Sequence, residues 1–225
     1  VSEAQGYKET RDAISQEWVP YLQNLGYCPI LIPNLVDDVD AYARQMNIEA
    51  LLLTGGNDIS PEAYGGNQGI TSGDGPSTAR DRTEFRLLEY ARQEKIPVLG
   101  TCRGMQLINT FCGGRLIQNI CQKVGGAVNH IAHNHPIKIT HPGFVDFLKQ
   151  EKFTVNSFHS QGVTPATLGN ELKPFAISEE DGLLEGLFHT TLPWMGIQWH
   201  PERETPSREN DQKIIRAWFA NELQL

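Results

Sequence analysis

The chain has 225 residues, of which 39% are hydrophobic, and its 19 basic and 27 acidic side chains give a net charge of −8. This length suits one α/β domain over residues 1–225, with a core that needs no metal or disulfide. An acidic balance without basic runs argues against a nucleic-acid partner. No apolar run approaches the roughly 18 residues that a membrane-spanning helix needs. We therefore expect a globular protein without a nucleic-acid or membrane partner.

The first half of the chain alternates short apolar runs with helical patterns. The predicted helices are Thr10–Leu25, Val39–Met46, Ala79–Glu94 and Met105–Phe111. The predicted strands are Cys28–Ile32, Ala50–Thr54 and Pro97–Thr101. Strands that are apolar throughout suit a sheet covered on both faces, and strand–helix–strand alternation favours parallel pairing. The pattern predicts a three-layer α/β fold with a mostly parallel central sheet.

The second half is more mixed. Its predicted strands are Ile137–Ile139, Phe153–Val155, Phe175–Ile177 and Trp194–Trp199, and Ser207–Leu223 is predicted as a closing amphipathic helix. The stretch Gly65–Ser77 contains five glycines and is predicted to be a long surface loop. Loops of this length are usually functional or mobile. Internal repeats and Gly/Ser-rich linkers are absent from the sequence, which favours one domain.

Four cysteines are irregularly spaced, at Cys28, Cys102, Cys112 and Cys121. None of them forms a C-x-x-C pair, and the sequence does not open on a secretory leader. Free thiols in a reducing cytoplasm are therefore expected. Most free cysteines are small buried hydrophobes, so a reactive one has to be identified from its neighbours.

One cysteine stands in a distinctive turn. Gly100-Thr101-Cys102-Arg103-Gly104 lies between a predicted strand and a predicted helix, and G-x-C-x-G is the cysteine form of a nucleophile elbow. The turn holds the nucleophile in a strained backbone conformation, and small neighbours let strand and helix approach closely. The Cys102 side chain would then project above a helix N-terminus, which stabilises a thiolate. The structural alternative is a buried cysteine in a tight βα turn.

A thiol nucleophile needs a base, and the base needs a group that orients it. Gln198-Trp199-His200-Pro201-Glu202 follows another predicted strand and supplies both. His200 and Glu202 are two residues apart, so in an extended segment their side chains share a face. Glu202 would hold one ring nitrogen while the other faces Cys102. Alone, these two residues would be ordinary in a surface loop; beside the elbow, they favour catalysis.

Two further polar segments end predicted strands. The first is Thr54-Gly55-Gly56-Asn57-Asp58, whose backbone N–H groups would point at a ligand and form an oxyanion hole with the N–H of Arg103. The second is Asn156-Ser157-Phe158-His159, whose polar side chains suit the charged head of an amino acid. Both segments also fit ordinary turns, which contain the same residue types.

A histidine-rich segment offers a competing chemistry. His130, His133 and His135 form an H-x-x-H-x-H pattern, which could ligate zinc in a metallohydrolase. No carboxylate follows within the short range expected of a catalytic site. A solvated histidine-rich loop is therefore favoured, and we predict neither a metal nor a cofactor.

Taken together, T-C-R-G-M-Q, Q-W-H-P-E and T-G-G-N-D resemble class I glutamine amidotransferase domains. Within that superfamily, V-N-S-F-H-S-Q-G and R-D-R-T-E (80–84) resemble the γ-glutamyl hydrolases of the peptidase C26 group, which include γ-glutamyl-γ-aminobutyrate hydrolases. The resemblance covers about residues 11–218. It implies a flavodoxin-like α/β fold, a Cys-His-Glu triad and hydrolysis through a γ-glutamyl thioester. It also implies an opening strand upstream of Val1.

The resemblance assigns roles to individual residues. It makes Cys102 the nucleophile, His200 the acid/base and Glu202 the orienting partner. It gives the oxyanion hole to the backbone N–H groups of Gly56 and Arg103. The residues that match the family's segments around the bound glutamyl group are Gly55, Gln106, Asn156, Ser157, Phe158 and His159.

The leaving-group side departs from many γ-aminobutyrate hydrolases, because the region after Cys121 is shorter. The short build and the H-P-E-R-E segment resemble the hydrolases of capsule phosphoramidate synthesis, which cleave γ-glutamyl-CDP-amidate. Arg80 and Arg82, together with the His130–His135 loop, would then bind an anionic leaving group. The alternative is that Arg80 and Asp81 only anchor the start of their helix.

Three functions remain open from the sequence. The first is a standalone γ-glutamyl amide hydrolase, and the second is a glutaminase component that delivers ammonia to a synthetase partner. The third is a binding domain without catalysis, which is disfavoured because nucleophile, base and orienting acid are all present. A homodimer also stays open.

Overall fold

The computed structural model describes residues 2–3, 9–71, 75–124 and 129–223. Two short strands, β1 (Ser2–Glu3) and β2 (Thr10–Arg11), pair with each other. The other strands form one seven-stranded sheet: β3 (Leu51–Leu53), β4 (Val98–Thr101), β5 (Ile131–Ile139), β6 (Lys152–Phe158), β7 (Leu172–Ser178), β8 (Leu184–His189) and β9 (Trp194–Ile197). Their order across the sheet is β3-β4-β9-β8-β7-β5-β6.

The sheet has a parallel part and an antiparallel part. Strands β3, β4 and β9 are parallel neighbours, whereas β9–β8, β8–β7, β7–β5 and β5–β6 pair antiparallel. The α/β fold is therefore confirmed, but the expectation of a mostly parallel sheet holds only for the β3–β4–β9 part. The sequence of the second half lacks long helices between its strands, so adjacent strands return directly and pair antiparallel.

Helices cover both faces of the sheet. Helices α1 (Trp18–Asn24), α6 (Pro142–Leu148) and α7 (Arg208–Phe219) pack on one apolar core, and α2 (Val39–Gln45), α3 (Thr78–Glu94) and α4 (Arg103–Phe111) pack on the other. Neighbouring strand residues alternate between the cores: Val98 and Trp194 enter one, Leu99 and Met195 the other. This alternation explains why the central strands are apolar throughout. The remaining helical elements are α5 (Ile120–Lys123) and 3₁₀ turns at Pro61–Tyr64 and Pro165–Thr167.

Two predicted elements of the first half are wrong. The predicted helix Thr10–Leu25 begins only at Trp18, because Pro20 is tolerated only in a first turn. Upstream, both carboxylate oxygens of Asp12 accept hydrogen bonds from Asn34, which holds that segment outside the helix. The predicted strand Cys28–Ile32 is irregular, since β3 pairs only with β4 among the described residues.

The remaining predicted elements agree with the structure apart from their ends. Strand β5 extends the predicted Ile137–Ile139 back to Ile131, so most of the predicted histidine-rich loop is strand. The predicted long loop is described except for residues 72–74, and Gln118 anchors it through hydrogen bonds with Asn67 and Ile70. Among the described helices, none is both long and apolar enough to cross a membrane.

Candidate active site

The carboxyl ends of the three parallel strands meet at one edge of the sheet, and each leads into a predicted site segment. Strand β3 leads into Gly55, β4 into Cys102, and β9 into His200. Antiparallel β8 runs the other way, so its first residues, including Glu185, lie at this same edge beside Gln198. Strand pairing alone therefore assembles these residues.

Cys102 occupies a strained turn between β4 and α4. Its φ of 52° and ψ of −107° are rare for a residue with a side chain. The backbone N–H of Cys102 donates to the Ile197 carbonyl at 2.8 Å, which ties the turn to β9. Gly104 is required at its position, because a Cβ there would lie 2.1 Å from the Leu53 carbonyl oxygen. The geometry is that of a nucleophile elbow, and the Cys102 side chain is almost fully buried.

His200 is positioned to serve Cys102. Its Nδ1 lies 2.8 Å from Glu202 Oε1, and its Nε2 has no protein hydrogen-bond partner among the described residues. Burial disfavours the imidazolium, but the Cys102 thiolate and the Glu202 carboxylate outweigh it and raise the pKa of His200 to about 9. A Cβ on Gly55 would lie 2.7 Å from His200 Cε1 and 3.5 Å from Cys102 Cβ, so the two side chains meet over that glycine. The three groups can form a thiolate–imidazolium–carboxylate array.

Asn156 holds the histidine segment in place. Its amide oxygen accepts from the His200 backbone N–H at 2.9 Å, and its amide nitrogen donates to the His200 and Glu204 carbonyls. Because both ends of the amide are bonded to the protein, the structure gives Asn156 a positioning role. Both polar atoms of the Asn156 side chain are bonded to the protein, so the predicted contact with the glutamyl group is not supported by a free polar atom.

Arg80 fastens the glycine turn rather than facing a substrate. Its guanidinium donates to the carbonyls of Thr54 and Gly55 and to Glu84. Gly56 has a φ of 143°, and a Cβ there would lie 2.2 Å from Arg80 Nη1, so only glycine fits. Arg80 is buried. The alternative that Arg80 only anchors is therefore supported, and its predicted contact with an anionic leaving group is wrong.

Arg103 completes a buried network beside the elbow. Its side chain forms ion pairs with Asp81 and Glu84, and Arg80 also pairs with Glu84. We call Arg80, Asp81, Glu84 and Arg103 the arginine–carboxylate cluster. The fourth carboxylate oxygen, on Asp81, accepts from the backbone N–H of Ser60. The cluster joins α3, α4 and the glycine turn. It involves only the side chain of Arg103, so the prediction that its backbone N–H, at the start of α4, is an oxyanion donor still stands as a prediction.

Some of the other side chains that are predicted to contact the glutamyl group already form hydrogen bonds within the protein. Gln106 donates its amide to the Gln161 carbonyl at 3.1 Å, and Ser157 Oγ lies 2.9 Å from His130 Nδ1. Phe158 is half-buried, and its ring stands perpendicular to that of His200 with 5.7 Å between centroids. The roles of Gly55, Gln106, Ser157, Phe158 and His159 in substrate binding stay predictions.

Behind the elbow lies a second buried polar group, the histidine–glutamate cluster of His130, His135, His159 and Glu185. All four side chains are buried. Burial, followed by the negative charges of Asp181 and Cys102, raises the pKa of the Glu185 carboxyl well above its ordinary 4.5. Burial lowers the pKa of His159 to about 3 and that of His135 to about 4. The shifts keep His135, His159 and Glu185 neutral near pH 7, and these buried groups lie in close contact with His130.

The structure separates the three histidines of the H-x-x-H-x-H pattern. His130 and His135 are buried inside the sheet edge, whereas the His133 side chain is 44% exposed and lies near Glu180. The expectation of a solvated loop is therefore wrong for His130 and His135, and these two cannot line the leaving-group side as predicted. A zinc site made of all three histidines is equally incompatible with their arrangement.

Sequence reasoning missed two site residues. Glu185 stands alone in the apolar run Leu183–Leu187, and a lone carboxylate in a buried strand is a signal of a buried polar site. Arg203 lies at the rim, with its guanidinium carbon 4.3 Å from the Phe158 ring centroid and its Nε 3.7 Å from Glu202 Oε1. Its side chain is 36% exposed, so a basic group borders Glu202 and the ring of Phe158.

Comparisons with known proteins agree with this geometry. The Peptidase C26 family model matches residues 2–202. The γ-glutamyl-CDP-amidate hydrolase of Campylobacter jejuni is 29% identical over 95% of this chain and 91% of its own. The γ-glutamyl-γ-aminobutyrate hydrolase PuuD of Escherichia coli is 25% identical over 84% of this chain and 78% of its own.

A solved structure supports the fold. The glutaminase domain of Trypanosoma brucei CTPS, solved with bound acivicin, superposes with a TM-score of 0.65 at 14% identity and covers 91% of this chain and 87% of that one. At this identity the likeness shows the shared fold alone. The family match spans most of the sequence and contains all three residues of the Cys102–His200–Glu202 array. The chain belongs to the peptidase C26 family of glutamine amidotransferase-like hydrolases.

Proposed function

We propose that this protein hydrolyses a γ-glutamyl amide through a covalent γ-glutamyl thioester on Cys102. The observation that carries the proposal is the array at the sheet edge: a strained, buried cysteine beside a histidine whose Nδ1 is held 2.8 Å from Glu202 and whose Nε2 has no protein partner among the described residues. Such an array activates a thiol for acyl transfer.

In the first half of the reaction, the Cys102 thiolate attacks the γ-carbonyl carbon, and the carbonyl oxygen gains negative charge. The backbone N–H groups of Gly56 and Arg103 would stabilise that oxyanion. As the C–N bond breaks, His200 gives its Nε2 proton to the leaving nitrogen, and an amine or amidate departs. The γ-glutamyl group stays on Cys102 as a thioester.

In the second half, a water molecule attacks the thioester while neutral His200 takes its proton. The C–S bond breaks, the Cys102 thiolate and the His200 imidazolium are restored, and glutamate leaves. Glu202 stabilises the imidazolium in both halves and fixes the ring with Nε2 toward the sulfur. No cofactor enters either half.

For the leaving group, we propose an anionic phosphoramidate such as γ-glutamyl-CDP-amidate, which would make the protein an enzyme of capsule biosynthesis. The support is Arg203, the partly exposed cation beside Glu202 and Phe158. The 29% identity to the γ-glutamyl-CDP-amidate hydrolase over nearly the whole chain agrees with this choice. Small γ-glutamyl amines are the alternative substrates.

A glutaminase that serves a synthetase partner is the second candidate, because it would use every catalytic residue in the same way. The two candidates differ in what they turn over. We expect a hydrolase to release glutamate faster from a larger γ-glutamyl amide than from glutamine. Preference for glutamine, with rates raised by a partner protein, would contradict the hydrolase.

The nucleophile is tested by competition among the four thiols. Cys28 and Cys121 are exposed, whereas Cys102 is buried, so labelling by simple access would favour the first two. We expect a γ-glutamyl chloromethyl ketone to label Cys102 first, because its γ-glutamyl part would direct it to the thiol that lies beside His200. Hydroxylamine added during turnover should yield γ-glutamyl hydroxamate from the thioester. The matched control is Cys102→Ala, which should remain folded, take no label and release no glutamate.

The leaving group is tested by comparing Arg203→Gln with wild type on a γ-glutamyl nucleotide amidate and on a neutral γ-glutamyl amide. We expect kcat/KM to fall about tenfold or more for the anionic substrate alone, the size of one lost charge-assisted hydrogen bond. Arg92→Gln, at the far end of α3, is the control. Arg82→Gln tests the other arginine predicted from the sequence. Equal losses on both substrates would contradict anion recognition by Arg203.

A further inference from the structure

The histidine–glutamate cluster contains bonding capacity that the protein itself does not use. Neither carboxylate oxygen of Glu185 and neither ring nitrogen of His135 has a hydrogen-bond partner among the described residues, and the same holds for His159 Nε2. Buried polar atoms are almost always bonded to protein, water or an ion, because an unpaired one is costly. Several such atoms in one place indicate that something binds there.

The hydrogen bonds around the cluster orient lone pairs inward. His159 Nδ1 lies 2.8 Å from the Gln161 carbonyl, so it carries the proton and leaves Nε2 as an acceptor. His130 Nε2 lies 2.8 Å from the Asp181 carboxylate, so it is the protonated nitrogen and Nδ1 is the acceptor, which receives the Ser157 hydroxyl. A carboxylate that fixes the tautomer of a histidine is the usual support of a metal-binding imidazole.

The distances suit a cation better than hydrogen bonds within the cluster. Glu185 Oε1 lies 3.7 Å from His135 Nε2 and 3.8 Å from His159 Nε2, too far for hydrogen bonds. Three candidate ligand atoms lie within 4.8 Å of one another, one each from His130, His159 and Glu185. Ligand atoms around a tetrahedral zinc lie roughly 3.4 Å apart, so side-chain shifts of about an ångström would close the set around an ion.

We propose that His130, His159 and Glu185 bind a structural zinc ion behind the nucleophile elbow, with His135 as the fourth ligand and the ion replacing the Ser157 hydroxyl at His130 Nδ1. Two imidazole nitrogens and one carboxylate oxygen are a donor set that zinc prefers. The ion would join β8 to the segments that begin β5 and follow β6. It is separate from the thioester chemistry, because none of these residues belongs to the Cys102–His200–Glu202 array.

The test is metal binding by the full chain, prepared without a histidine tag. We expect about one zinc per chain after growth in zinc-supplemented medium. After removal of zinc with a chelator, Co²⁺ should restore one equivalent and give the intense visible bands of a four-coordinate site. Zinc should also raise the melting temperature of the chelated protein, because it binds the folded state.

Matched variants locate the ion. Glu185→Gln should abolish stoichiometric binding, and Asp181→Asn should weaken it by about 10- to 100-fold, the usual effect of losing a group that supports a ligand. His133→Ala, which removes the exposed histidine of the same strand, should leave binding unchanged. If Glu185→Gln fails to fold, Asp181→Asn still provides the measurement, because Asp181 is not a proposed ligand, and the amide oxygen of asparagine can still accept from the Leu183 N–H.

Cys102→Ala separates this site from the catalytic array, since a thiolate and an imidazole can also bind zinc. We expect Cys102→Ala to bind metal like wild type, whatever its substrate proves to be. Zinc lost with Cys102→Ala would assign the ion to the catalytic array and overturn the proposal. Wild type that binds less than about a tenth of an equivalent, with no change in melting temperature on adding zinc, would overturn it as well.

Discussion

Two buried polar clusters flank the nucleophile elbow, and they differ in how fully their charges are matched. In the arginine–carboxylate cluster, all four carboxylate oxygens of Asp81 and Glu84 accept from arginine or backbone N–H groups. In the histidine–glutamate cluster, neither oxygen of Glu185 has a partner among the described residues. The two clusters are similarly buried. In the first, Arg103 Nε is the one side-chain polar atom without a partner among the described residues, whereas the second has five such atoms, on Glu185, His135 and His159.

The difference indicates two kinds of task. A matched ion-pair network fixes geometry, and here it joins the glycine turn, α3 and the start of α4, the three parts that surround Cys102. An unmatched cluster of acceptors keeps its bonding capacity for a cation. The elbow therefore lies between a structural ion-pair network and a candidate metal site. Removing a single group should lower stability on the first side and metal binding on the second.

The largest effect is expected on the matched side, from Arg103→Met. The substitution removes the cation that Asp81 and Glu84 share and leaves their charges buried. Breaking one partner out of a buried ion pair typically costs about 3–5 kcal/mol of stability. Urea denaturation should show a loss of that size in the free energy of unfolding, and glutamate release should fall because the elbow loosens.

Two further variants test whether the loss comes from the unpaired buried charge: a surface control and a double variant. Arg82→Met, at an exposed arginine of the same helix α3, should change the free energy of unfolding by less than about 0.5 kcal/mol. Adding Asp81→Asn to Arg103→Met should recover part of the loss, because it removes the buried carboxylate that loses its arginine partner, whereas Glu84 keeps its ion pair with Arg80. Additive losses in the double variant would show that the two side chains act independently.

The sequence predicted the parallel part of the site better than the antiparallel part, for a physical reason. The elbow, the glycine turn and the His200–Glu202 pair are local patterns whose geometry follows from a few adjacent residues. The ion pairs of Arg103 and the hydrogen bonds of Asn156 join residues 19 to 48 positions apart, which the fold brings together but no local pattern encodes. The same holds for Glu185 on β8, which lies 3.8 Å from Nε2 of His159, a residue that follows β6.

An intermediate effect is expected on the catalytic side, from Glu202→Gln. Because the pKa of His200 is raised to about 9, the imidazolium that protonates the leaving nitrogen should persist up to that pH, and kcat/KM should decline above it. Glutamine at 202 removes one of the negative charges that favour the imidazolium, so the pKa falls and the decline should begin at lower pH. The rate at neutral pH should fall less than with His200→Ala, for which about 10²- to 10⁴-fold is expected.

The pH profile distinguishes orientation from direct proton transfer by Glu202. A profile that keeps its alkaline limit near pH 9 in Glu202→Gln would show that Glu202 does not support the charge on His200. A loss in Glu202→Gln as large as in His200→Ala would give the carboxylate a direct part in the chemistry. Arg92→Gln is again the control, since its guanidinium pairs with Glu89 on the surface.

The smallest effect is expected at Asp211. This buried carboxylate is intermediate between those of the two clusters: both its oxygens accept hydrogen bonds, but the donors, Trp199 and Ser207, are neutral. Burial raises its pKa from 3.8 to about 7 despite these bonds. The folded state therefore binds more protons than the unfolded state between these pKa values. The stability that the protonated form contributes therefore declines as pH rises through that range.

The variant Asp211→Asn keeps an acceptor for Trp199 and removes the titration. Urea denaturation from pH 4 to pH 7 should show wild type losing stability relative to Asp211→Asn as pH rises. A constant difference across the range would mean that Asp211 is already charged when folded, and that hydrogen bonds from the neutral donors Trp199 and Ser207 suffice to satisfy a buried carboxylate.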